Sequence, residues 1–247
     1  MIQVRITRAQ GSTPREAGAM MLVGADRTQG TIGGGQLEYM AIDRARQMLA
    51  RGESAASMNI PLGPEIGQCC GGRVELALTR IDAAPPPPEQ PQVLIFGAGH
   101  VGRALARALA LLPLRPVLID QRAEELAQAS GETRLTPLPE QEIRAAAMGS
   151  SYVILTHDHA LDFLLAAEAL RRADAPYIGM IGSATKRAQF HRFARAQGLA
   201  TERLTCPIGA GQSPDKRPEI IAAFTAAELI ARLTQPVLSM KKHPCDN

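Results

Sequence analysis

The chain contains no tryptophan, and three tyrosines and five phenylalanines bring its aromatic content to only 3% of 247 residues. Proteins that hold single-stranded nucleic acid stack bases on aromatic side chains, so that class is set aside. Charge points the same way. The 27 lysines and arginines face 24 aspartates and glutamates, a net +3, and the basic residues are scattered over predicted helices rather than gathered into a tail or stripe. No nucleic-acid partner is expected. Long apolar runs are missing too: "ALARALALLPLRPVLID" is broken by arginines and prolines, and "MIQVRITRAQ" lacks the apolar core of a signal peptide. No membrane span is expected, and the cytoplasm is the expected compartment. Cysteine is sparse, at Cys69, Cys70, Cys206 and Cys245. A reducing compartment argues against a disulfide framework, so these are expected as thiols or ligands.

What is present is enough apolar residue, 45%, to build sizeable cores in a chain of this length. The segment "DAAPPPPEQPQ" (Asp82 to Gln92) favours an extended spacer, because four successive prolines fit neither a helix nor a sheet interior. It divides the chain into an N-terminal domain at 1–82, a linker at 83–91 and a second domain at 92–247. Before the linker, the short β-like runs "VRIT", "AMMLV", "TQGTI" and "VELALTRI" surround one helical stretch, Gln36 to Leu49, which predicts a small α+β domain. After it, apolar strands such as "QVLIF", "RPVLID", "SYVILT" and "PYIGMIG" alternate with helical stretches. That alternation predicts an α/β domain with a mainly parallel, Rossmann-like sheet. A last helix over about Pro218 to Leu233 is apolar around much of its circumference, and is expected to pack on the first domain or on a second subunit.

In "VLIFGAGHVGRAL", Gly97, Gly99 and Gly102 have G-x-G-x-x-G spacing after a strand and at the opening of a helix. The first glycine permits the sharp turn, the second lets backbone approach a phosphate, and the third lets helix and strand pack. The helix start supplies unpaired N–H groups to an anion, with His100 beside them. Asp120 ends the next strand in "PVLIDQR", where an acid accepts hydrogen bonds from a ribose or another diol. A second candidate anion site is "MIGSATKRAQF". Ser183 is placed to cap a helix whose first turn carries Lys186 and Arg187, and such an arrangement opposes the macrodipole unless an anion is bound. In "THDHALD", Asp158 is read as a helix N-cap in preference to a metal ligand with His157 and His159, whose spacing does not suit a helical pair of ligands. "GTIGGGQLE" is read as a tight strand-to-helix turn, and "GSTPREAGA" as a loop in which Arg15 is an anion or interface contact.

Taken together, "GSTPREAGAMMLV", "GTIGGGQLE", "GQCCGG", "VLIFGAGHVGRALA", "LIDQR", "THDHALD", "YIGMIGSATKR" and "CPIGAGQSPDKRPEIIAAFTAAEL" resemble the xanthine dehydrogenase accessory proteins of the XdhC/CoxI type, in the family's order and over nearly the whole chain. One departure is "PIGAGQSPDKRP", which replaces the family's more usual leucine- and glycine-rich run. The resemblance implies a maturation factor, without turnover of its own, that binds molybdenum cofactor (molybdopterin). It further implies a cysteine desulfurase partner that equips the molybdenum with sulfur, and a xanthine dehydrogenase-type molybdoenzyme as recipient.

On that reading Gly97, Gly99, His100 and Gly102 hold the cofactor's phosphate, Ser183, Lys186 and Arg187 assist, and Asp120 meets pterin nitrogens. Two readings of Cys69 and Cys70 stand: small apolar residues in a buried glycine-rich turn, or soft thiolates near molybdenum or its sulfur. A bond between these neighbours would close a strained ring, and residues 1–82 hold no histidine and no other cysteine to complete a zinc site. The glycine motif and Asp120 equally support an NAD(P)-dependent oxidoreductase, although no catalytic pair is evident, and a non-catalytic scaffold is the third reading. A homodimer is expected as the commonest symmetric assembly.

Overall fold

The computed structural model describes residues 1–64, 71–210 and 213–234. The chain separates into two compact units, with the division between Pro88 and Glu89.

The first unit sets one helix on one antiparallel sheet. Its elements are β1 (Ile2–Gln10), β2 (Met20–Val23), β3 (Thr28–Gly30), α1 (Gly35–Arg51), β4 (Ala55–Pro61) and β5 (Arg73–Arg80), with strand order β3-β2-β1-β5-β4. Alternation decides which face is covered: Ile2, Val4 and Ile6 of β1 and Val74, Leu76 and Leu78 of β5 point to one side and are buried. Leu37, Ala41, Ala45 and Met48 recur at helical spacing along α1 and close that side into a single apolar cluster. Gly52 ends the helix at φ 72°, where its N–H and that of Glu53 return to the carbonyls of Leu49 and Met48. The strand β4 has no counterpart among the expected runs. Only Ile60 of its residues is buried, so it carries little apolar signal.

The second unit contains β6 (Gln92–Phe96), α2 (His100–Leu109), β7 (Arg115–Asp120), α3 (Ala123–Leu126), β8 (Glu132–Leu135), α4 (Pro139–Ala145), β9 (Ser151–Ile154), α5 (His159–Arg171), β10 (Ile178–Met180), α6 (Ala184–Ala196), β11 (Leu204–Thr205) and α7 (Pro218–Leu233). All six strands are parallel, in the order β11-β10-β9-β6-β7-β8. Both sheet faces are covered, which is why these strands read as continuous apolar runs. Val93 and Ile95 pack with α2 and α7, while Leu94 and Phe96 pack on the other side with residues of α5 and α6. The chain leaves β6 outward through β7 to β8 and then returns to the opposite flank for β9. The strand order therefore reverses between β6 and β9, the place where open parallel sheets bind ligands at their carboxyl edge.

The last helix, α7, lies along α2, and its Ala222, Ala226 and Leu229 complete the apolar cluster on that face. The expectation that it would need the first domain or a second subunit to bury its apolar surface is thus corrected: its own unit supplies the cover. No helix among the described residues is long and apolar enough to cross a membrane.

Candidate functional site

At the switch point the turn from β6 into α2 is shaped by three glycines for three different reasons. Gly97 has φ +117°, and a β-carbon there would lie 2.4 Å from the Leu155 carbonyl oxygen at the end of β9. A β-carbon on Gly102 would lie 1.9 Å from the carbonyl oxygen of Gly97, so helix and turn touch through backbone. Gly99 differs from both. It is the N-cap of α2 at φ −67°, ψ −176°, a conformation open to any residue, and a β-carbon there would meet, among the described residues and beyond its chain neighbours, no atom within 4 Å. The first bond of the helix runs from Arg103 N–H to the Gly99 carbonyl (3.0 Å), which leaves the N–H groups ahead of it without helical acceptors. No acidic residue stands in that first turn, and His100 at its start is exposed. Helix end, open face and local charge all suit an anion.

The turn is braced from behind. Asp120, 7% exposed, accepts from Ala98 N–H (2.6 Å), while buried Arg103 donates to the Ala98 carbonyl (2.5 Å). Arg103 also donates to Glu125 (2.5 Å), Glu125 lies 3.7 Å from Arg122, and Arg122 forks onto both oxygens of Asp120 (3.0 Å each). Two acids and two arginines thus form a closed, charge-neutral ring through Ala98. Burial disfavours the Asp120 carboxylate, but the Arg122 fork, the N–H groups of Ala98 and Arg122 and the Arg122 charge together outweigh it and hold its pKa below the usual range. The sequence marked Asp120. It gave no hint of Arg103 or Glu125, whose pairing with each other is reached only through the fold.

The neighbouring strand ends are tied together in the same manner. Asp158 caps α5 by accepting from Ala160 N–H (2.8 Å) and Leu161 N–H (3.4 Å), as its position suggested, while His157 and His159 are exposed. Ser183 caps α6 by accepting from Lys186 N–H (3.2 Å). The side chain of Lys186, however, is buried and paired with Asp162, whose other oxygen accepts from the N–H (2.9 Å) and hydroxyl (2.7 Å) of Thr156. Lys186 therefore locks the β9 end to α6. The exposed cation of that turn is Arg187, which also donates to the Cys206 carbonyl (3.2 Å). A pocket at the edge is lined by Gly97, Asp120, Gln121, Pro139, Thr156 and His157, among others. Gly97, Gly99, His100, Gly102, Asp120, Ser183, Lys186 and Arg187 all lie along this one carboxyl edge.

In the first unit the glycine turn is filled by its own chain. One oxygen of Glu38 accepts from Ile32 N–H (2.8 Å), Gly33 N–H (3.2 Å), Gly34 N–H (2.9 Å) and the Thr31 hydroxyl. Burial opposes ionisation, but the Thr31 bond and the three backbone bonds together lower the Glu38 pKa. The other motif loops pack against this turn and each other. A β-carbon on Gly33 would strike the Pro14 ring at 2.5 Å, and one on Gly72 would strike the Ser12 carbonyl oxygen at 2.2 Å. Cys69 and Cys70, which precede these last glycines, lie outside the described residues.

Fold and turn geometry define a two-unit α/β protein whose second unit is a Rossmann domain with an anion-ready turn. A family model described as the XdhC Rossmann domain matches residues 93–229, and one described as the XdhC and CoxI family matches residues 1–59. The chain belongs to the XdhC and CoxI family. It is 28% identical over 242 residues to the uncharacterized protein YqeB of Escherichia coli (strain K12), covering 92% of this chain and 42% of YqeB, so it spans less than half of that relative. A solved structure described as a xanthine dehydrogenase from Bacillus halodurans superposes with a TM-score of 0.79 at 18% identity, covering 97% of this chain and 94% of that one, and has the same fold.

Proposed function

We propose that this protein is a maturation factor of molybdenum hydroxylases that binds molybdenum cofactor, holds it during sulfuration by a cysteine desulfurase, and delivers it to a xanthine dehydrogenase-type enzyme in the cytoplasm. Family membership supports the maturation role. The observation that carries cofactor binding is Gly99, a glycine that neither its backbone conformation nor any neighbouring atom of the described residues requires. A glycine in that situation makes sense where something outside the chain approaches the backbone closely.

The residues fit the phosphate end of the cofactor. The N–H groups at the start of α2 and the exposed His100 receive it, Gly97 and Gly102 shape the turn, and Arg187 adds positive charge from the adjoining edge. Asp120 and Lys186 act indirectly, Asp120 by fixing Ala98 and Lys186 by fixing Thr156 through Asp162, while Ser183 secures the start of α6. When bound, the cofactor supplies the molybdenum that takes the sulfur. Cys69 and Cys70 remain proposed as thiol contacts of the metal or its sulfur, and a homodimer as the working assembly.

The test is Gly99→Asp, which sets a carboxylate where the phosphate would lie in a position with room for it. The variant is expected to melt like the parent and to lose molybdenum cofactor in a pull-down from cells that make it. Unchanged retention would overturn the placement. For the doublet, Cys69→Ala and Cys70→Ala chains that retain cofactor and activate the client enzyme normally would return both cysteines to packing.

A further inference from the structure

We propose that Arg122 determines the ligand specificity of the β6–α2 turn: by occupying the acid at the end of β7 it selects a phosphate-bearing ligand recognised without a vicinal diol and excludes NAD(H). This deepens the reading above and rests on it for the identity of the preferred ligand.

In NAD-binding Rossmann domains the acid at the end of the second strand takes the ribose 2′-hydroxyl, which requires acceptor positions turned toward the site. An ionised carboxylate offers about four lone-pair positions in all. On Asp120 every one is used. One oxygen accepts from Arg122 N–H (2.9 Å) and Arg122 Nε (3.0 Å), the other from Ala98 N–H (2.6 Å) and Arg122 Nη2 (3.0 Å).

The fork is also hard to displace. Bidentate arginine–carboxylate pairs are charge-assisted, and this one is sheltered, with the Asp120 side chain only 5% exposed beneath an Arg122 side chain at 29%. Glu125 holds the guanidinium from its far side, and Glu125 is itself bonded to Arg103, which holds Ala98. For Arg122 to swing clear, Asp120 and Glu125 would both lose a partner. A phosphate monoester asks nothing of Asp120, because its contacts are the N–H groups at the start of α2. NAD(H) would reach the same groups with its pyrophosphate and then find no acceptor for its ribose 2′-hydroxyl.

The experiment is a fluorescence titration of the full chain with NADH. The parent is expected not to saturate. Arg122→Ala, which keeps the backbone bond to Asp120 but removes the fork, is expected to bind NADH roughly ten- to a hundredfold more tightly, the value of one hydrogen bond to an ionised acceptor. Asp120→Asn in that background should erase the gain. Arg122→Lys, whose single ammonium cannot fork, is the second variant if Arg122→Ala fails to fold, and should show a smaller gain. Saturable NADH binding by the parent overturns the proposal, as does a folded Arg122 variant with no gain. Cofactor retention by the parent is measured separately, so its absence would remove the maturation reading while leaving the exclusion of NAD(H) standing or falling on the titration.

Discussion

Each unit carries a glycine-rich turn that leads a strand into a helix, and the two turns have solved the same backbone problem in opposite directions. Before α1, the donors of Ile32, Gly33 and Gly34 point inward onto Glu38 of the helix they introduce. Before α2, the Gly97 N–H is taken by the Ile119 carbonyl and Ala98 is held from behind by Asp120 and Arg103, and the helix start faces outward. One turn is closed by an acid four residues past its N-cap, and the other is braced by an acid twenty-two residues from the N–H it holds. Glycine content does not distinguish a structural turn from a ligand-ready one. The origin of the carboxylate does.

The largest expected effect tests the rigidity of the open turn. In Gly102→Ala the new methyl meets the Gly97 carbonyl, backbone against backbone, with no flexible side chain to give way. The second unit is expected to lose more than about 4 kcal/mol and to unfold at ambient temperature, read by circular dichroism. A variant that melts near the parent would mean that helix and turn are less tightly apposed than this geometry requires.

Next in size is the plug of the closed turn. Glu38→Ala leaves three N–H groups and a hydroxyl without their common acceptor and is expected to cost about 3 kcal/mol, with Glu38→Gln recovering part because an acceptor oxygen remains. The pH dependence gives the same contact a second signature. Since folding lowers the Glu38 pKa from its ordinary 4.5, the unfolded chain binds the proton more readily. The stabilisation is complete above that ordinary value and is lost as pH falls through the lower, folded one. Parent and Glu38→Gln melting temperatures should therefore converge on acidification below about pH 4.5. A constant gap down to pH 2 would place the carboxylate elsewhere.

How far the sequence carried the fold follows from burial. Strands covered on both faces, β6, β7, β9 and β10, announce themselves as apolar runs. The edge strands β4, β8 and β11 bury almost no residue fully and so carry little apolar pattern, and they pass unnoticed. Caps are legible because they act within three residues: Asp158 and Ser183 bond where their positions suggest. Lys186 shows the limit. Its place in a first helical turn suggested an anion ligand, but its partner Asp162 stands twenty-four residues earlier, on a helix that follows a different strand. That pairing arises from the parallel order of β9 and β10, which local spacing cannot express. The pairing of Arg103 with Glu125 escapes sequence reading for the same reason, since only the approach of β7 to β6 brings the two together, although Arg103 reaches Ala98 within its own turn.

The finest test compares the two N-cap glycines directly. Gly34 and Gly99 share nearly the same ψ, −175° and −176°, but Gly34 has φ 78° and Gly99 has φ −67°. The first combination is reached essentially by glycine alone, so Gly34→Ala is expected to cost about 2 kcal/mol in strain even though the space around it is open. In Gly99→Ala the weaker capping preference of alanine is offset by the reduced freedom of the unfolded chain, and stability is expected to stay within about 0.5 kcal/mol of the parent. The new methyl nevertheless stands on the face where the phosphate is proposed to approach, so Gly99→Ala should lose cofactor without losing fold, and Gly34→Ala should lose stability while the folded fraction still retains cofactor. Equal losses of stability in the two variants would show that Gly99, like Gly34, serves its own backbone, and would take away the observation on which the cofactor site is built.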